Sequence, residues 1–460
     1  MLEHMTHPRH TIIPPYLLQH LAESDDPGVA RRAERTLRTD QSFRVDRITA
    51  PAPAPSYRPS AVVETATLER QISTADNTET LPGTVVRKEG DPATGDPAAD
   101  EAYDGFGATW TLFHDVYGRN SIDGAGMLLA GTVHYGKGYD NAFWNGERMV
   151  FGDGDGEIFG RFTASLEVIG HELTHGVTER TAGLVYRGQS GALNEHVSDV
   201  FGVLVKQRQL GQSADAADWL VGAALLLPGV DGVAIRSMIA PGTAYDDPRL
   251  GKDPQPDHMS GFVTTTEDNG GVHINSGIPN RAFAVAARSI GGEAWVSAGQ
   301  VWYDVLTGGQ LGSRADFATF AGLTVAAAGA RFGDDSREQN AVREGWTTVG
   351  VSLGATTAAE PPSSGYSPSE SELLLRRTGG VTGVVRERRT TLDELPKKDA
   401  KRWNTLLSSN KLVEISEPNP IVDGFCYQVA YHALNLDVTV AEQHLSESQR
   451  NLFRRTLQGE

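Results

Sequence analysis

The strongest pattern of hydrophobic and polar positions covers residues 164–179, where apolar side chains recur at 166, 169, 173 and 177. This spacing of three or four residues predicts a helix with one apolar stripe that faces a core. A second helical pattern covers 193–205. Further helical patterns at 281–290, 295–306 and 314–332 predict that residues 190–350 form a helical lobe.

Strand patterns lie on both sides of this lobe. Residues 60–162 are rich in valine, threonine, glycine and turn residues, and 81–86 predict an early strand. Near the C-terminus, strand patterns at 373–375, 386–391 and 425–436 are combined with helical patterns at 396–407 and 446–457. We therefore expect an α+β protein with a β-rich N-lobe, a helical C-lobe and a small α+β C-terminal domain. The first helix would lie between the two lobes, where a cleft is the expected functional site.

Two stretches rich in proline, alanine and serine predict linkers, at residues 51–60 and 354–370. A chain of 460 residues is also too long for one hydrophobic core. The expected organisation is an N-terminal segment (1–50), a linker (51–60), the N-lobe with the first helix (61–180), the helical C-lobe (181–353), a second linker (354–370) and a C-terminal domain (371–460).

Charge and cysteine content limit the classes of partner. The formal net charge of -18 disfavours nucleic acid and anionic membranes as partners. Cys426 is the single cysteine, so no intrachain disulfide can form. The longest apolar runs, near 220–227 and 320–330, are too short to span a membrane. Because residues 1–20 contain no apolar signal-peptide core, we expect cytoplasmic synthesis, with release by a non-classical route left open.

The first helix carries candidate metal ligands. His171 and His175 are four residues apart, so both imidazoles lie on one helix face, and Glu172 follows the first of them. A carboxylate from the second helix, Glu195, would complete a His2Glu set and leave the fourth position of a zinc ion open. The alternative is a buried helix with two core histidines. Asp199 lies four residues after Glu195, and its carboxylate could orient a ligand histidine.

Several further segments resemble motifs of the thermolysin-like (gluzincin) metallopeptidases, in that family's order. They are 140–146, 151–156, 181–186, 235–238 and 270–277, together with 171–199. The resemblance extends over about residues 80–351. It implies the two-lobed thermolysin-like fold, one catalytic Zn²⁺ and endopeptidase activity on protein or peptide substrates.

The resemblance also implies catalytic roles. Glu172 would take the proton of the attacking water and pass it to the leaving amine. Tyr186 and His273 would stabilise the oxyanion of the tetrahedral intermediate. Asp268 would hold the His273 imidazole, although this glycine-rich segment taken alone would be a turn. Asp199 would support the ligand His171. A purely structural Tyr186 stays open as an alternative.

The substrate-binding residues that the resemblance implies are Asn141, Ala142, Arg236, Val168 and Ile235. Asn141 and the backbone of Ala142 would hold an extended substrate, and Arg236 would bind the carbonyl just past the scissile bond. A surface salt bridge is the alternative for Arg236. Val168 and Ile235 are apolar and occupy positions expected to line the specificity pocket, so we expect cleavage before bulky hydrophobic residues.

Calcium binding is expected to differ from that of the best-known family members. Their double calcium site matches Glu167, Lys206, Asp218, Leu220 and Ala223 here. Since a lysine repels the ion and supplies no oxygen ligand, the double site is predicted to be lost, with Lys206 replacing the cation. A single weaker site on the glycine-rich loop 151–156 stays open, although a tight turn is the favoured interpretation of that loop.

The N-terminal segment resembles the short pro-segments of the protealysin branch, which carry a Pro-Pro-aliphatic motif. Here Tyr16 separates Pro14-Pro15 from Leu17. Consecutive prolines favour an extended backbone, and the flanking apolar residues suit a groove that binds substrate strands. A charged helical stretch follows at 26–39. The alternative is a disordered polar arm.

The C-terminal domain resembles emfourin, a small proteinaceous inhibitor of protealysin-like peptidases, at 377–380, 393–396 and 425–427. A substrate-binding or spacer domain is the alternative. The expected protein is thus a zinc endopeptidase made as a zymogen, with self-inhibition by its tail as a further expectation. The competing hypothesis is a latent binding module whose tail blocks the cleft.

Overall fold

The computed structural model describes residues 10–45, 66–353, 372–379, 386–407, 412, 425–431 and 436–458. The described residues up to 44 and from 66 to 353 belong to one compact unit, and those from 372 onwards belong to a second. Both expected linkers, 51–60 and 354–370, lie outside the described residues. Across the described part of the chain, no helix is both long and apolar enough to cross a membrane.

The N-lobe contains a six-stranded sheet with the strand order β1-β5-β6-β4-β2-β3. Its strands are β1 (His10–Thr11), β2 (Arg70–Thr74), β3 (Thr84–Lys88), β4 (Leu129–Val133), β5 (Ala142–Trp144) and β6 (Met149–Phe151). The strand predicted at 81–86 begins three residues late, because Gly83 turns the chain with a φ of 76°. The N-terminal segment contributes β1, which pairs antiparallel with β5 and forms one edge of the sheet.

A helix packs on this sheet that the sequence pattern did not predict, α3 (Pro97–Thr111). The Asp96 side chain caps it by accepting from the Ala98 amide, and Pro97 occupies the first turn. The Phe106 ring of α3 packs on the sheet at Gly131 of β4, where a Cβ would lie 2.8 Å from the ring. The small residue on β4 therefore allows close helix–sheet packing.

The N-terminal segment continues from β1 into two helices, α1 (Pro15–Ala22) and α2 (Pro27–Val45). The expectation of an extended backbone through both prolines is wrong beyond Pro14, because Pro15 occupies the first turn of α1, where no amide is needed. Leu17 and Leu18 are fully buried on this helix. The extended part is confined to the residues before α1, and the helical stretch predicted at 26–39 is confirmed as α2.

The C-lobe is helical, as predicted. The helix predicted between the two lobes is α4 (Leu166–Glu179). The helices of the C-lobe are α5 (Gly188–Leu210), α6 (Asp268–Asn275), α7 (Gly277–Ile290), α8 (Ala298–Thr307), α9 (Phe317–Phe332) and α10 (Arg337–Thr348). Short two-stranded pairs join them, β7 (Leu220–Val221) with β8 (Arg236–Ser237), and β9 (Asp246–Asp247) with β10 (Gly251–Lys252).

Helices α4 and α5 approach each other closely through glycine. A Cβ on Gly202 would collide with the backbone carbonyl of Glu167, and one on Gly170 would lie 3.0 Å from the Gly202 Cα. The two backbones can therefore touch, and side chains at the facing positions of both helices converge.

The second unit has a four-stranded antiparallel sheet in the order β12-β11-β13-β14. Its elements are β11 (Glu372–Gly379), β12 (Arg386–Thr391), α11 (Lys397–Leu407), β13 (Phe425–Tyr431), β14 (Leu436–Ala441) and α12 (Glu447–Gln458). The Trp403 and Phe453 rings stack at 4.8 Å and join the two helices. The predicted α+β character of this domain is confirmed.

Candidate active site

Three buried side chains converge between α4 and α5. The Nε2 atoms of His171 and His175 lie 3.0 Å apart. Glu195 reaches them from α5, with each of its carboxylate oxygens 3.5 Å from one histidine Nε2. All three side chains are fully buried. The structure thus brings together the three residues that the sequence predicts to be metal ligands.

The hydrogen bonds around this cluster leave its inner atoms available for a cation. The Nδ1 of His171 lies 2.8 Å from Asp199 Oδ1, and the Nδ1 of His175 lies 2.8 Å from Asn194 Oδ1. The Asn194 amide donates to the Leu184 carbonyl, so its oxygen faces the imidazole. Both Nδ1 atoms therefore carry the proton, and both Nε2 lone pairs point inward.

Two facing lone pairs at 3.0 Å repel unless a cation lies between them. Within the described residues, Glu195 Oε2 has no hydrogen-bond partner. Ligands on a tetrahedral zinc ion are about 3.3 Å apart when the bonds are about 2.0 Å long. The observed separations of 3.0 and 3.5 Å and the His2Glu donor set fit zinc.

Asp199 is the centre of a buried ion-pair network. Arg236 donates to both of its carboxylate oxygens, at 2.9 and 2.8 Å, and the Asn280 amide donates at 2.8 Å. Burial raises the pKa of Asp199, but Arg236 and His171 outweigh it and hold that pKa well below its usual range. Asp199 therefore stays ionised and fixes the tautomer of His171.

Glu172 lies on the same helix as the two histidines and faces the edge of the N-lobe sheet. Its Oε2 accepts from the backbone amide of Trp144 on β5, at 3.1 Å, and the side chain is fully buried. The carboxylate is thus placed between the metal-ligand cluster and the strand that pairs with the N-terminal segment.

A second cluster lies on the C-lobe side. The Tyr186 hydroxyl donates to Glu195 and lies 3.1 Å from His273 Nε2. Asp268 lies 2.6 Å from His273 Nδ1 and accepts from the His273 amide at 2.8 Å. The chain can fold back between Asp268 and His273 because Gly270 and Gly271 have φ values of 87° and 76°. Burial lowers the pKa of His273, but Asp268 and Glu195 outweigh it and raise that pKa above its ordinary value.

The groove between these clusters and β5 contains residues 10–13 of the N-terminal segment. Asn141 holds Ile13, since its Oδ1 accepts from the Ile13 amide at 3.0 Å and its Nδ2 donates to the Ile13 carbonyl at 3.4 Å. The Ala142 carbonyl accepts from the Ile12 amide at 3.2 Å. Arg236 donates to the Ile12 carbonyl at 3.1 Å. These predicted substrate-binding residues all contact the segment.

Helix α2 adds contacts that the sequence did not signal. Asp40 accepts from the Asn141 amide at 2.9 Å and from the Tyr139 hydroxyl at 2.7 Å. Arg32 pairs with Glu157 at 2.9 Å. The Asp140 amide donates to the Thr36 hydroxyl at 3.3 Å. The segment is therefore fixed to the N-lobe as well as to the groove.

Val168 and Ile235 are buried, with exposed fractions of 0% and 1%. Val168 lies on α4 one turn before His171, and Ile235 directly precedes Arg236. Both adjoin the site through the chain, and their function as walls of a specificity pocket stays a prediction.

At the positions expected for calcium, Lys206 makes the contacts of a cation. Its Nζ lies 3.5 Å from Glu167, 3.0 Å from Asp218 and 3.4 Å from the Leu220 carbonyl. In the glycine-rich loop, Asp155 Oδ1 accepts from three successive backbone amides, from 157 to 159. That arrangement is a tight turn.

The residues that orient the metal-ligand side chains from outside the cluster were not predicted from the sequence. Asn194 directly precedes Glu195 in the sequence, and its position four residues before Ser198, on the face that meets His175, was an available signal. Asn280 gave no such signal, because its contacts with Asp199 and His196 join helices that are distant in the sequence.

Comparison with known proteins agrees with this geometry. Residues 42–179 match the catalytic domain of thermolysin metallopeptidases, 182–351 match their alpha-helical domain, and 375–457 match emfourin. The "Extracellular metalloprotease" of Pectobacterium carotovorum subsp. carotovorum is 50% identical over 343 residues, which cover 75% of this chain and 96% of that protein. "Protease PrtS" of Photorhabdus sp. (strain Az29) is 48% identical over 344 residues, or 74% and 92% of the two chains.

Among solved structures, the precursor of protealysin, a metalloproteinase from Serratia proteamaculans, is similar with a TM-score of 0.67 and 50% identity. The match covers 75% of this chain and 100% of that chain. The two-lobed fold and the His2Glu cluster define a zinc metalloendopeptidase, a hydrolase. The chain belongs to the thermolysin metallopeptidase family, in its protealysin-like branch, and carries an emfourin domain at its C-terminus.

Proposed function

We propose that this chain is the zymogen of a neutral endopeptidase that cleaves before bulky hydrophobic residues. The observation that carries the proposal is the path of residues 10–13 through the groove. Ile12 is fully buried there, with its carbonyl on Arg236 and its amide on Ala142. A segment in this position excludes substrates until it is removed.

The residues of the site divide the chemistry between them. His171, His175 and Glu195 would hold Zn²⁺, which when bound lowers the pKa of water and polarises a carbonyl. Glu172 takes a proton from the attacking water and delivers it to the leaving amine. Tyr186 and His273 donate hydrogen bonds to the developing oxyanion, and Asp268 orients the imidazole and favours its charged form.

Specificity follows from the apolar surroundings of the position that Ile12 occupies. We assign Val168 and Ile235 to the walls of the pocket for the side chain just past the cleaved bond. Arg236 fixes the carbonyl of that residue, and Asn141 binds the next one. The resulting preference is for bulky aliphatic or aromatic residues after the scissile bond.

The C-terminal domain is proposed to be an inhibitor of the peptidase to which it is joined. A tether raises the effective concentration of a linked domain to roughly millimolar, so even weak binding would occupy the cleft. The double calcium site is proposed to be absent, with the Lys206 ammonium in its place.

The test is azocasein hydrolysis by the full chain in zinc buffer, beside Glu172→Gln and a chain ending at Gly354. Glu172→Gln should lose roughly 10²–10⁴-fold in rate, because it can no longer accept a proton. It should retain zinc in equal amount. The exposed Glu147→Gln is the matched control and should be fully active. Zinc binding without hydrolysis in every chain, with the pro-segment intact, would contradict the proposal and favour a latent binding module.

A further inference from the structure

We infer that the Thr11–Ile12 peptide bond is a self-cleavage site, at which this peptidase hydrolyses its own pro-segment within the groove. The inference rests on the proposed endopeptidase function and adds a specific bond to it. Residues 10–13 bind as a substrate strand in productive register, so the segment is a slowly cleaved substrate as well as a plug.

The first argument is the strand pairing. β1 pairs antiparallel with β5, with His10 opposite Trp144 and Thr11 opposite Phe143. The Ile12 amide continues the ladder by donating to the Ala142 carbonyl at 3.2 Å. Addition of an extended strand to a sheet edge is a general mode of peptide binding. Hydrogen bonds to β5 therefore position the backbone of the segment on both sides of the Thr11–Ile12 bond.

The second argument is the position of two successive carbonyl groups. The Thr11 carbonyl lies 3.2 Å from His273 Nε2, which donates to it. The Ile12 carbonyl accepts from Arg236 at 3.1 Å. His273 is the residue proposed to stabilise the oxyanion, so the carbonyl next to it belongs to the bond that would be attacked. Arg236 is proposed to bind the carbonyl one residue further on, and it binds that of Ile12.

Neighbouring bonds do not satisfy both conditions. The Ile12–Ile13 bond has its carbonyl on Arg236 rather than on His273. The Ile13 carbonyl, which precedes Pro14, accepts from Asn141. Of the described bonds of the segment, Thr11–Ile12 alone places its carbonyl against His273 and a buried aliphatic side chain directly after it.

The reaction is an ordinary hydrolysis. The water oxygen bonds to the Thr11 carbonyl carbon, and the carbon–nitrogen bond to Ile12 breaks. Glu172 relays the protons, so that the products are a Thr11 carboxylate and an Ile12 ammonium group. Water is the sole co-reactant.

Cleavage at this bond would not by itself release the rest of the segment. Ile13 stays on Asn141, Leu17 and Leu18 are buried on α1, and Asp40 of α2 binds Asn141 and Tyr139. The chain would then carry a new N-terminus at Ile12 while the groove stays occupied. The nick is thus a separate event from removal of the whole segment.

The experiment starts from the full chain freed of metal by a chelator. After zinc is added, samples are quenched at intervals, and mass spectrometry and N-terminal sequencing detect peptides that begin at Ile12. Azocasein hydrolysis is measured on the same samples. We expect the Ile12 terminus to appear in the wild-type chain and to be absent from Glu172→Gln. Its rate should not change on tenfold dilution, because the bond is cut in its own groove.

Two variants of the segment sharpen the test. Ile12→Val keeps an aliphatic side chain and should retain cleavage, whereas Ile12→Gly should slow it by more than about 100-fold through loss of pocket contacts. Circular dichroism checks that both variants fold, and the Glu172→Gln comparison does not depend on either of them.

Three outcomes would overturn the inference. If azocasein is hydrolysed while Thr11–Ile12 stays intact, the register does not lead to cleavage and the proposed function stands alone. If the rate rises in proportion to protein concentration, another copy makes the cut. If no chain hydrolyses azocasein, the proposed function and this inference fail together.

Discussion

His196 shows how a single buried side chain stabilises the site without touching a substrate. Trp302 Nε1 donates to its Nε2 at 2.8 Å, and its Nδ1 lies 2.8 Å from Asn280 Oδ1. Neutral imidazole has one donor and one acceptor, so both partners are satisfied. Burial lowers the pKa of His196 to about 4. The folded protein therefore keeps His196 neutral until the pH falls towards 4.

This lowered pKa predicts acid sensitivity. The stabilising contribution is fully present above the ordinary histidine pKa of about 6.5 and is lost as the pH falls towards 4. Over that window, His196 alone should remove roughly 3 kcal/mol from the free energy of unfolding. Urea denaturation of the full chain of Glu172→Gln at several pH values measures this. The same series on a chain that also carries His196→Gln should have a smaller slope, and an equal slope would contradict the assignment.

The ligand residues could be predicted from sequence because their chemistry requires a fixed spacing. His171 and His175 must be one helical turn apart, and Glu195 and Asp199 likewise. Asp40 could not be predicted, since nothing in its own neighbourhood distinguishes it from Glu34, the other acidic residue of α2. Its contact with Asn141 exists only once the segment is docked.

Helices were predicted more successfully than the segments between them. The apolar stripe of α4 and the patterns of α7, α8 and α9 gave their positions to within a few residues. α3 was missed, because its residues are mostly alanine, glycine and acidic side chains without a marked stripe. α1 was missed because Pro15 is compatible with both an extended chain and a first helical turn.

Substitution by alanine should have opposite effects at two helical glycines, Gly202 at the contact between α4 and α5 and Gly322 on α9. Gly202→Ala would force the helices apart, because its Cβ collides with the Glu167 carbonyl, and so would separate Glu195 from the two histidines. We expect a loss of about 1–3 kcal/mol in stability, together with weaker zinc binding. Thermal unfolding and competition with a zinc-selective dye measure the two effects.

Gly322→Ala on α9 is the matched control, because its Cβ would meet nothing within 4 Å. It should stabilise the helix by roughly 0.5–1 kcal/mol and leave zinc affinity unchanged. Equal behaviour of the two variants would show that the contact between α4 and α5 has no special importance.

The contacts of Lys206 predict that the folded protein is stable without calcium. Because its ammonium already neutralises Glu167 and Asp218, a calcium-selective chelator should leave the melting temperature unchanged. Lys206→Met leaves the buried Glu167 without this cation and should lower the melting temperature by about 2–6 °C. The exposed Lys252→Met is the control. A large drop with the chelator in the wild-type chain would show that a calcium site has been retained.

Considered as one polypeptide, the chain combines a peptidase, a segment that fills its groove and a domain of an inhibitor family. The attachment of the N-terminal segment should depend on pH through Asp140. Helix α2 covers this residue, with Thr36 on its amide. Burial and the nearby Asp155 raise the pKa of Asp140 to about 8, against the opposing effects of Arg32 and Arg35.

Docking of the segment therefore takes up a proton between the ordinary aspartate pKa of about 4 and the raised value near 8. Attachment should be strongest at low pH and should weaken as the pH rises towards 8. Hydrogen exchange of α2 in full-length Glu172→Gln, at pH 5 and pH 8, measures this. Asp140→Asn should remove the difference, and a difference that persists would place its cause elsewhere.

Arg236 has a consequence for any attempt to redesign this peptidase. One guanidinium holds both the backbone of the bound strand and, through Asp199, the imidazole that would bind the metal. An engineer who replaces it to change which peptides are accepted also loosens the metal ligand behind it. New selectivity is better sought at Val168 and Ile235, the positions proposed to line the specificity pocket, because Arg236 and its contacts are then left in place.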